Sequence, residues 1–296
     1  MSINLGRATS FMASHARILD RRRFEVIVTD SDASRQAIIH GLDAYRNTDG
    51  GYGWGLEPDL RAPESQPGAA LHTFEALGDA GPVTSPHAVA LLDWLTSVTL
   101  PDGGLPFALP ISDPVACAPF WAHANPDESS LQITAAVAAQ ALRAARFDET
   151  IRIHPWLATA TRYCFDAIRQ TEEAPFAHVL SFALRLLDVA SDTHPEAHDL
   201  LSHLSRFVPR DGTLPVIGGA EGEALHLLDY APDPEGPLRD LLDPRAVSDD
   251  LDRLEQAQLP DGGWPVDFTS YSDAATLEWR GYATVSAVAV LHANGR

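Results

Sequence analysis

The sequence predicts an all-α protein in which one helix–loop–helix unit is repeated along the chain. The tripeptide Asp-Gly-Gly occurs at 49–51, 102–104 and 261–263, with a weaker Asp-Gly echo at 211–212. In chain order the aspartates are Asp49, Asp102, Asp211 and Asp261, at intervals of about 53, 109 and 50 residues. The middle interval therefore spans about two repeats of roughly 50 residues. Apolar residues around the loops follow the helical period, and convincing strand alternation is absent. We therefore expect helix, glycine-rich loop and helix five or six times over.

The first two helices lead into the first glycine-rich loop. Residues 8–19 can form a helix, and in the next helix Ile38, Leu42 and Tyr45 fall on one apolar face at i, i+4 and i+7. The loop at 47–66 comes next, and its glycines allow positive φ angles and close backbone approach. We therefore expect a structured loop here.

Two helices after this loop carry a face of small residues, which lets helices pack closely. These positions are Ala69, Thr73 and Ala76 in the first helix and Leu131, Ala135, Ala138 and Leu142 in the second. A helix at 89–95 and an irregular stretch reaching to about residue 128 lie between them. Irregular stretches of that length are uncommon unless functional or disordered. This one contains Phe120, Trp121 and His123, so we expect it to be packed.

The second half of the chain continues the repeat less regularly. Helices predicted at 156–168 and 179–187 flank a third slot without glycine, and the fourth slot comes after a helix at 200–207. The fifth slot comes after an apolar face in 247–254. In the last helix the apolar face keeps a helical period for four turns. Its residues are Leu277, Gly281, Thr284, Val288 and Leu291.

A helical pair cannot bury its apolar faces alone, so successive pairs must stack. About six pairs of 50 residues account for the whole chain, which we expect to form one domain over residues 1–296. A closed double ring of helices leaves no exposed end repeats. The alternative is an open superhelix, which needs polar capping units, whereas the terminal helix here is apolar.

Composition bounds the functional classes. Hydrophobic residues make up 45% and charged residues 21%, with a formal net charge of -20, which disfavours nucleic acid and anionic membranes as partners. No apolar run is long enough for a membrane helix, and no signal peptide is apparent, so we expect a cytoplasmic protein. All 21 cationic side chains are arginine, which excludes Schiff-base lysine chemistry. The two cysteines exclude a disulfide framework, and the oligomeric state stays open.

The fifth glycine-rich loop carries a family resemblance. Its sequence, Gln256-Ala257-Gln258-Leu259-Pro260-Asp261-Gly262-Gly263-Trp264, resembles the QW motif of the terpenoid cyclase and protein prenyltransferase superfamily. Residues 46–54 and 100–107 look like further copies. The resemblance implies an (α/α)6 toroid with a largely apolar central cavity. It says little about the reaction, because function depends on the site rather than the fold.

The chain departs from the reaction motifs of that superfamily. The Asp-x-Asp-Asp acid motif of squalene-hopene-type cyclases is absent. Neither Cys117 nor Cys164 stands in the sequence context of a prenyltransferase zinc ligand, and no Asp-rich helical motif for magnesium diphosphate is present. We therefore expect no metal and no cofactor.

The first candidate site lies in the first glycine-rich loop. Glu57 and Asp59 would project the same way along an extended segment, and two nearby carboxylates raise the pKa of one of them, giving an acid at neutral pH. Arg61 could hold the other carboxylate ionised or bind an anionic group, with Gln66 and the aromatic wall Trp54 as further substrate contacts. The alternative is that these side chains satisfy turn amides and that Arg61 forms a surface ion pair.

The second candidate site surrounds the fifth loop and the start of the last helix. Asp267 and Glu278 are further candidate catalytic carboxylates, and Trp264, Trp279 and Arg280 are candidate substrate contacts on the same rim. The alternative, which we favour, is a packing tryptophan of the QW type beside a surface salt bridge.

Histidine gives one weaker candidate. His226, Asp229 and Tyr230 could orient an imidazole for acid–base chemistry, although a helix-capping pair is the favoured interpretation. The remaining histidines that we weighed, His72 among them, show no ligand-like spacing, and we assign them no role. Aromatic residues could stabilise carbocations, but packing explains at least half of them.

Three functions are compatible with these residues. The leading hypothesis is a terpenoid-cyclase-like enzyme that acts on an isoprenoid or another apolar small molecule by carboxylic-acid-initiated cyclisation or isomerisation. The second is an (α/α)6 glycosidase or lyase with paired carboxylates in an open polar cleft. The third is a non-catalytic protein that binds an apolar ligand.

Overall fold

The computed structural model describes residues 3–296 and is mostly helical within that range, which confirms the all-α prediction. The α-helices are α1 Leu5–His15, α2 Ile18–Thr29, α3 Asp32–Leu42, α4 Pro67–Ala80, α5 Ala88–Val98, α6 Pro119–Ala122, α7 Leu131–Ala145, α8 Glu149–Arg152, α9 Pro155–Arg169, α10 Ala177–Ala190, α11 Ala197–Ser205, α12 Leu227–Tyr230, α13 Pro244–Gln256 and α14 Asp273–Ala293. Two 3-10 helices lie at Asp43–Tyr45 and Pro237–Leu241. Among the described residues, no helix is both long enough and apolar enough to cross a bilayer.

The chain forms two compact units. One consists of Thr29–Thr171, and the other combines the N-terminal residues up to Val28 with Glu172–Arg296. The single domain expected over residues 1–296 stays a prediction.

The unit Thr29–Thr171 is built on α4 packed against α7. Both helices use the small-residue faces that the sequence predicts. Ala69, Thr73, Ala76, Ala135 and Ala138 are all buried. The helix backbones can approach closely because no large side chain stands between these positions.

The other unit contains α1, α2 and α10 to α14. Helix α1 packs against α14, α10 packs against α11 and α12, and α13 packs against α14. Gly281 of α14 allows a close approach, since a Cβ there would lie 3.0 Å from the Cβ of Ala16. A short antiparallel hairpin, β1 Leu214–Pro215 and β2 Ala224–Leu225, precedes α12.

The three Asp-Gly-Gly loops form the same turn. In each, the residue two positions before the aspartate donates its N–H to the carbonyl oxygen of the second glycine. These bonds run from Asn47 to Gly51, Leu100 to Gly104 and Leu259 to Gly263, at 2.9, 2.8 and 2.9 Å. The first glycine of each turn has a positive φ, which glycine adopts without strain: 94° at Gly50, 96° at Gly103 and 99° at Gly262.

Each turn also packs on a helix in the same way. The first glycine of a turn lies over one helical residue, and the second glycine lies over an aromatic residue four positions later. The helical pairs are Ala90 and Trp94 of α5, Thr159 and Tyr163 of α9, and Arg7 and Phe11 of α1. The sequence repeat is therefore also a structural repeat at these three loops.

Candidate functional site

The first glycine-rich loop makes an excursion between its turn and helix α4. Gln66 donates its N–H to the carbonyl oxygen of Tyr52 at 2.9 Å, which closes the loop at its base. Residues 53–65 form the excursion, and Leu60 donates its N–H to the carbonyl oxygen of Glu57 at 3.0 Å. This internal turn brings the Glu57 side chain against the first turns of α4.

Glu57 lies in a buried group with two residues of α4. The Oε2 atom of Glu57 is 2.7 Å from Nε2 of His72, and Nδ1 of His72 is 2.8 Å from Oε2 of Glu75. All three residues are only 4–6% exposed. His72 and Glu75 share a helical face because they are three residues apart on α4. The imidazole is thus held between two carboxylates.

The charge state of His72 is set by these contacts. Burial alone would lower the pKa of His72, but the charge of Glu75 and the hydrogen bonds to Glu57 and Glu75 outweigh it and raise the pKa to about 9. At neutral pH the ring is therefore an imidazolium whose two N–H groups donate to the carboxylates. The group therefore holds a proton at a position shielded from water.

The other predicted residues of this loop lie around the group. Asp59 is buried, and its N–H donates to Oε1 of Glu57 at 3.1 Å. The side chain of Trp54 is 58% exposed and donates to Oδ1 of Asn47 at 2.8 Å. Arg61 is partly exposed beside Gly55. The structure therefore brings Asp59 to Glu57 and leaves Trp54 facing outward.

Gln66 is engaged with the backbone of the next loop. Its Oε1 accepts the N–H of Leu109 at 2.8 Å, and its Nε2 donates to the carbonyl oxygen of Leu109 at 3.1 Å. These two bonds tie residues 107–110 to the start of α4.

The residues around the fifth loop interlock. Trp264 is buried, and its Nε1 donates to the carbonyl oxygen of Leu254 at 2.8 Å. Arg280 donates to both carboxylate oxygens of Asp261 at 2.9 Å and stacks over Phe11 at 4.5 Å. Burial opposes ionisation of Asp261, but the hydrogen bonds from Arg280 and Gly263 outweigh it and lower its pKa. This matches the favoured interpretation of a packing tryptophan beside an ion pair.

The remaining residues of the second candidate site are less closely grouped. Trp279 packs edge-on against Phe268 and Tyr282, at ring distances of 5.3 and 5.4 Å. Asp267 is exposed, and its Oδ2 lies 4.0 Å from Nε2 of His226. Glu278 is partly exposed on α14.

The capping interpretation of His226 and Asp229 is confirmed. The side chain of Asp229 accepts the N–H of His226 at 2.7 Å, which completes a capping box at the start of α12. Burial raises the pKa of Asp229, and the hydrogen bond from His226 opposes that shift. Tyr230 donates its hydroxyl to the carbonyl oxygen of Gly212 at 2.7 Å. The three residues serve local structure.

Sequence reasoning missed His72 and Glu75. The available signal for both was a His-x-x-Glu spacing on the buried face of α4. Trp121 is buried as expected and stacks on Phe107 at 4.4 Å, whereas Phe120 is exposed. A Cβ on Gly68 would lie 3.2 Å from Trp121 Cη2 and 3.6 Å from Glu57 Cγ, so both side chains lie against this glycine.

The site is closed in this structure. A surface pocket of about 460 Å³ runs along α13, and a cleft of about 10 Å³ lies beside Leu77 and Phe147. Neither is lined by Glu57, His72 or Glu75. Within residues 3–296, no group of three His, Cys, Asp or Glu side chains is arranged to hold a metal ion.

Comparison with known proteins adds no relative. No protein-family model matches the sequence, and no curated protein matches it significantly. The functional inference therefore depends on the site.

Proposed function

We propose that the helices close into an (α/α)6 toroid. Leaving out the four-residue helices α6, α8 and α12, the chain order within residues 3–296 gives eleven helices, one fewer than six pairs contain. The Asp-Gly-Gly turn of the fifth loop, at residues 261–263, packs on α1, and α1 packs against α14. A closed ring requires such a contact between the last pair and the first, and this contact supports the proposal.

We propose that the protein is a terpenoid-cyclase-like enzyme that acts on an isoprenoid or another apolar small molecule by acid-initiated cyclisation or isomerisation. The buried Glu57–His72–Glu75 group is the observation that carries this proposal. It holds a proton at neutral pH in surroundings where water does not compete for it. The proposal keeps the predicted cytoplasmic location.

In the proposed reaction Glu57 is the proton donor. The Nε2 proton of His72 passes to Oε2 of Glu57, which gives a carboxylic acid beside a neutral imidazole that Glu75 still orients. The acid proton moves to an alkene carbon, the π electron pair forms the new C–H bond, and the neighbouring carbon becomes cationic. The Glu57 carboxylate is stabilised by the N–H of Asp59. Loss of a proton from the final cation to Glu57, followed by its return from Oε2 of Glu57 to Nε2 of His72, restores the group.

Turnover assays with matched variants test this function. The protein is incubated with linear isoprenoid hydrocarbons, alcohols and diphosphates, and the products are analysed by gas chromatography and mass spectrometry. We expect Glu57→Gln to lower turnover at least about 100-fold, because general acids contribute about 10²–10⁴-fold. Circular dichroism checks that the variant keeps its helices. The control is Glu128→Gln, which changes an exposed carboxylate and leaves turnover unchanged.

The outcomes separate the predicted acids. Full activity in Glu57→Gln would contradict the proposal and leave Asp59, Asp267 and Glu278 as the next acids to test. A further candidate function is the non-catalytic binding protein, which the burial of all three residues of the group favours. A non-catalytic binding protein would bind an apolar ligand equally well as wild type and as Glu57→Gln, without turnover. A glycosidase or lyase instead needs an open polar cleft, and saccharide turnover would identify it.

A further inference from the structure

Residues 107–122, here named the cover, lie along the excursion that carries Glu57. Ala118 donates its N–H to the carbonyl oxygen of Asp59 at 2.8 Å, and Ser112 donates its N–H to Oε1 of Glu64 at 3.0 Å. The side chain of Gln66 makes two further bonds to Leu109. The cover is therefore attached to residues 59–66 by polar contacts spaced along its length.

The seam between the cover and the excursion leaves buried polar atoms unsatisfied. Within residues 3–296 four such side-chain atoms occur. One is Oε2 of Glu64, whose Oε1 accepts from Ser112 of the cover, and another is Nε1 of Trp121 in the cover itself. Trp264 and Trp156 are also buried, and each donates its indole N–H to a partner. A buried polar atom without a partner gains a hydrogen bond when water reaches it. Opening of the cover would therefore let water form hydrogen bonds with these two buried atoms.

The cover itself has little regular structure and an apolar outer side. Its one helix, α6, has four residues. Val115 is 91% exposed and Phe120 is 51% exposed. Segments held by few contacts open locally at lower free energy than the core, and ligand-binding lids belong to this class.

We propose that the cover is a lid that opens as a unit and admits an apolar ligand to the Glu57–His72–Glu75 group. The buried end of the lid is Trp121, which lies with Glu57 against Gly68. Opening separates Trp121 from Gly68 and exposes the group, while α4 keeps His72 and Glu75 in place. The role of the lid depends on the proposed function, but its motion does not.

The two cysteines of the chain report this motion. Cys117 lies in the cover, is 9% exposed and pairs with Leu60 of the excursion. Cys164 is fully buried in α9. A thiol reagent reaches Cys117 when the cover opens, whereas it reaches Cys164 only when the core unfolds.

The experiment monitors the alkylation of both cysteines in the folded full-length protein by peptide mass spectrometry, with N-ethylmaleimide as the reagent. We expect Cys117 to react at least about 100-fold faster than Cys164. Gln66→Ala removes two bonds to the cover and should speed the labelling of Cys117 about 10-fold without changing Cys164. The matched control is Gln258→Ala. The side chain of Gln258 likewise forms hydrogen bonds with backbone groups, those of Asn4 and Gly262, but it lies outside the unit Thr29–Thr171. This control variant should change neither rate.

Amide hydrogen exchange separates opening from direct access to the sulfur. Leu109 and Ala118 lie near opposite ends of the cover, and both donate across the seam. If the cover opens as a unit, their amides share one opening free energy, and Gln66→Ala lowers it at Ala118 as well as at Leu109, whose acceptor the substitution removes. Equal labelling of the two cysteines, or labelling of Cys117 without joint exchange of these amides, would overturn the lid.

The two proposals can fail separately. If the cover opens but Glu57→Gln does not change turnover, the lid is supported and Glu57 is not the acid. Turnover that depends on Glu57 in a protein whose cover stays closed would remove the lid, because the substrate must then enter elsewhere.

Discussion

The first and fifth glycine-rich loops share a turn and differ in the path of the chain after it. Both turns place a positive-φ glycine over a helix and bond the aspartate carboxylate to the N–H of the second glycine. In the fifth loop the chain continues directly into Trp264, and Arg280 donates hydrogen bonds to the carboxylate of Asp261. In the first loop the chain makes the excursion 53–65 and buries Glu57 against His72.

This difference separates the turn that the two loops share from the segment that carries the proposed site. The fifth loop uses its tryptophan, arginine and aspartate to hold elements together, and Gln258 ties it to Asn4 of the N-terminal segment. The first loop uses its turn for structure and places its acidic residue on a proton-holding imidazole. The shared turn therefore belongs to the fold, and the proposed site depends on the excursion that follows the first turn.

The largest expected effect tests whether the turns are equivalent. A Cβ at Gly262 would lie 2.2 Å from the carbonyl oxygen of Arg7, and one at Gly50 would lie 2.6 Å from that of Ala90. Positive φ adds about 1–2 kcal/mol. We expect Gly262→Ala and Gly50→Ala each to lower the free energy of unfolding by about 5 kcal/mol, measured by urea denaturation.

Gly103→Ala is the matched control for these two variants. Its added Cβ would lie 3.2 Å from the side-chain methyl of Thr159, which can shift, so we expect a loss of about 2 kcal/mol. If Gly50→Ala lowers the free energy of unfolding no more than Gly103→Ala does, the turn of the first loop does not pack on α5 as tightly as the turn of the fifth loop packs on α1.

The second effect contrasts the ion pairs of the two loops. His72→Ala leaves two buried carboxylates without their cation, and we expect it to lower the free energy of unfolding by about 4 kcal/mol. Arg280→Ala leaves Asp261, whose side chain is 44% exposed, so we expect a loss of about 1 kcal/mol. Chemical denaturation at pH 7 gives both values. Equal losses would mean that the group at His72 is as well hydrated as the ion pair at Asp261.

The third effect is a dependence on pH that the His72 ion pairs produce and the Asp261 ion pair does not. The pKa of His72 is about 9 in the folded protein and about 6.5 in the unfolded chain, so folding strengthens proton binding. The resulting stabilisation is complete below pH 6.5 and is lost as the pH rises through 9. We expect about 3 kcal/mol less stability at pH 9.5 than at pH 6, measured by urea unfolding.

His72→Gln is the control for this slope and should remove most of it. Asp261 does not contribute in this window, because its pKa is lowered and its stabilisation is lost only in acid. A slope that survives in His72→Gln would assign the titration to other groups.

The smallest effect compares two buried tryptophans. Trp264→Phe removes the hydrogen bond from Nε1 to the carbonyl oxygen of Leu254, which we expect to cost about 2 kcal/mol. Trp121→Phe removes an indole N–H that has no partner, so we expect a loss below about 1 kcal/mol. Thermal unfolding ranks the two variants. The reverse order would show that water or another group satisfies Trp121.

Much of the fold was predictable because its signals are local. The period of Leu277 to Leu291 indicated the last helix, and the small residues of α4 and α7 indicated two closely packed helices. The spacing of the Asp-Gly-Gly tripeptides indicated the repeat, since only glycine adopts these positive φ angles without strain. The closure of the toroid stays a prediction.

The site was only partly predictable because its contacts join separate segments. Glu57 stood out in a glycine-rich loop, but its partner His72 is 15 residues away and on a helix that reads as ordinary small-residue packing. No spacing rule connects a loop carboxylate to a helical imidazole. The extended pairing expected for Glu57 and Asp59 missed the turn closed by Leu60, which aims Glu57 at α4.

The shared turn also affects the chemical lifetime of the chain. An aspartate followed by glycine isomerises readily to isoaspartate, because the glycine nitrogen can attack the side-chain carboxyl and form a succinimide. In all three turns that nitrogen donates to a carbonyl oxygen: Gly50 to Asn47, Gly103 to Leu100 and Gly262 to Leu259, at 3.2, 2.9 and 2.9 Å. The folded chain therefore shields its most labile Asp-Gly sequences, and isoaspartate at these positions would accumulate mainly in molecules that have unfolded.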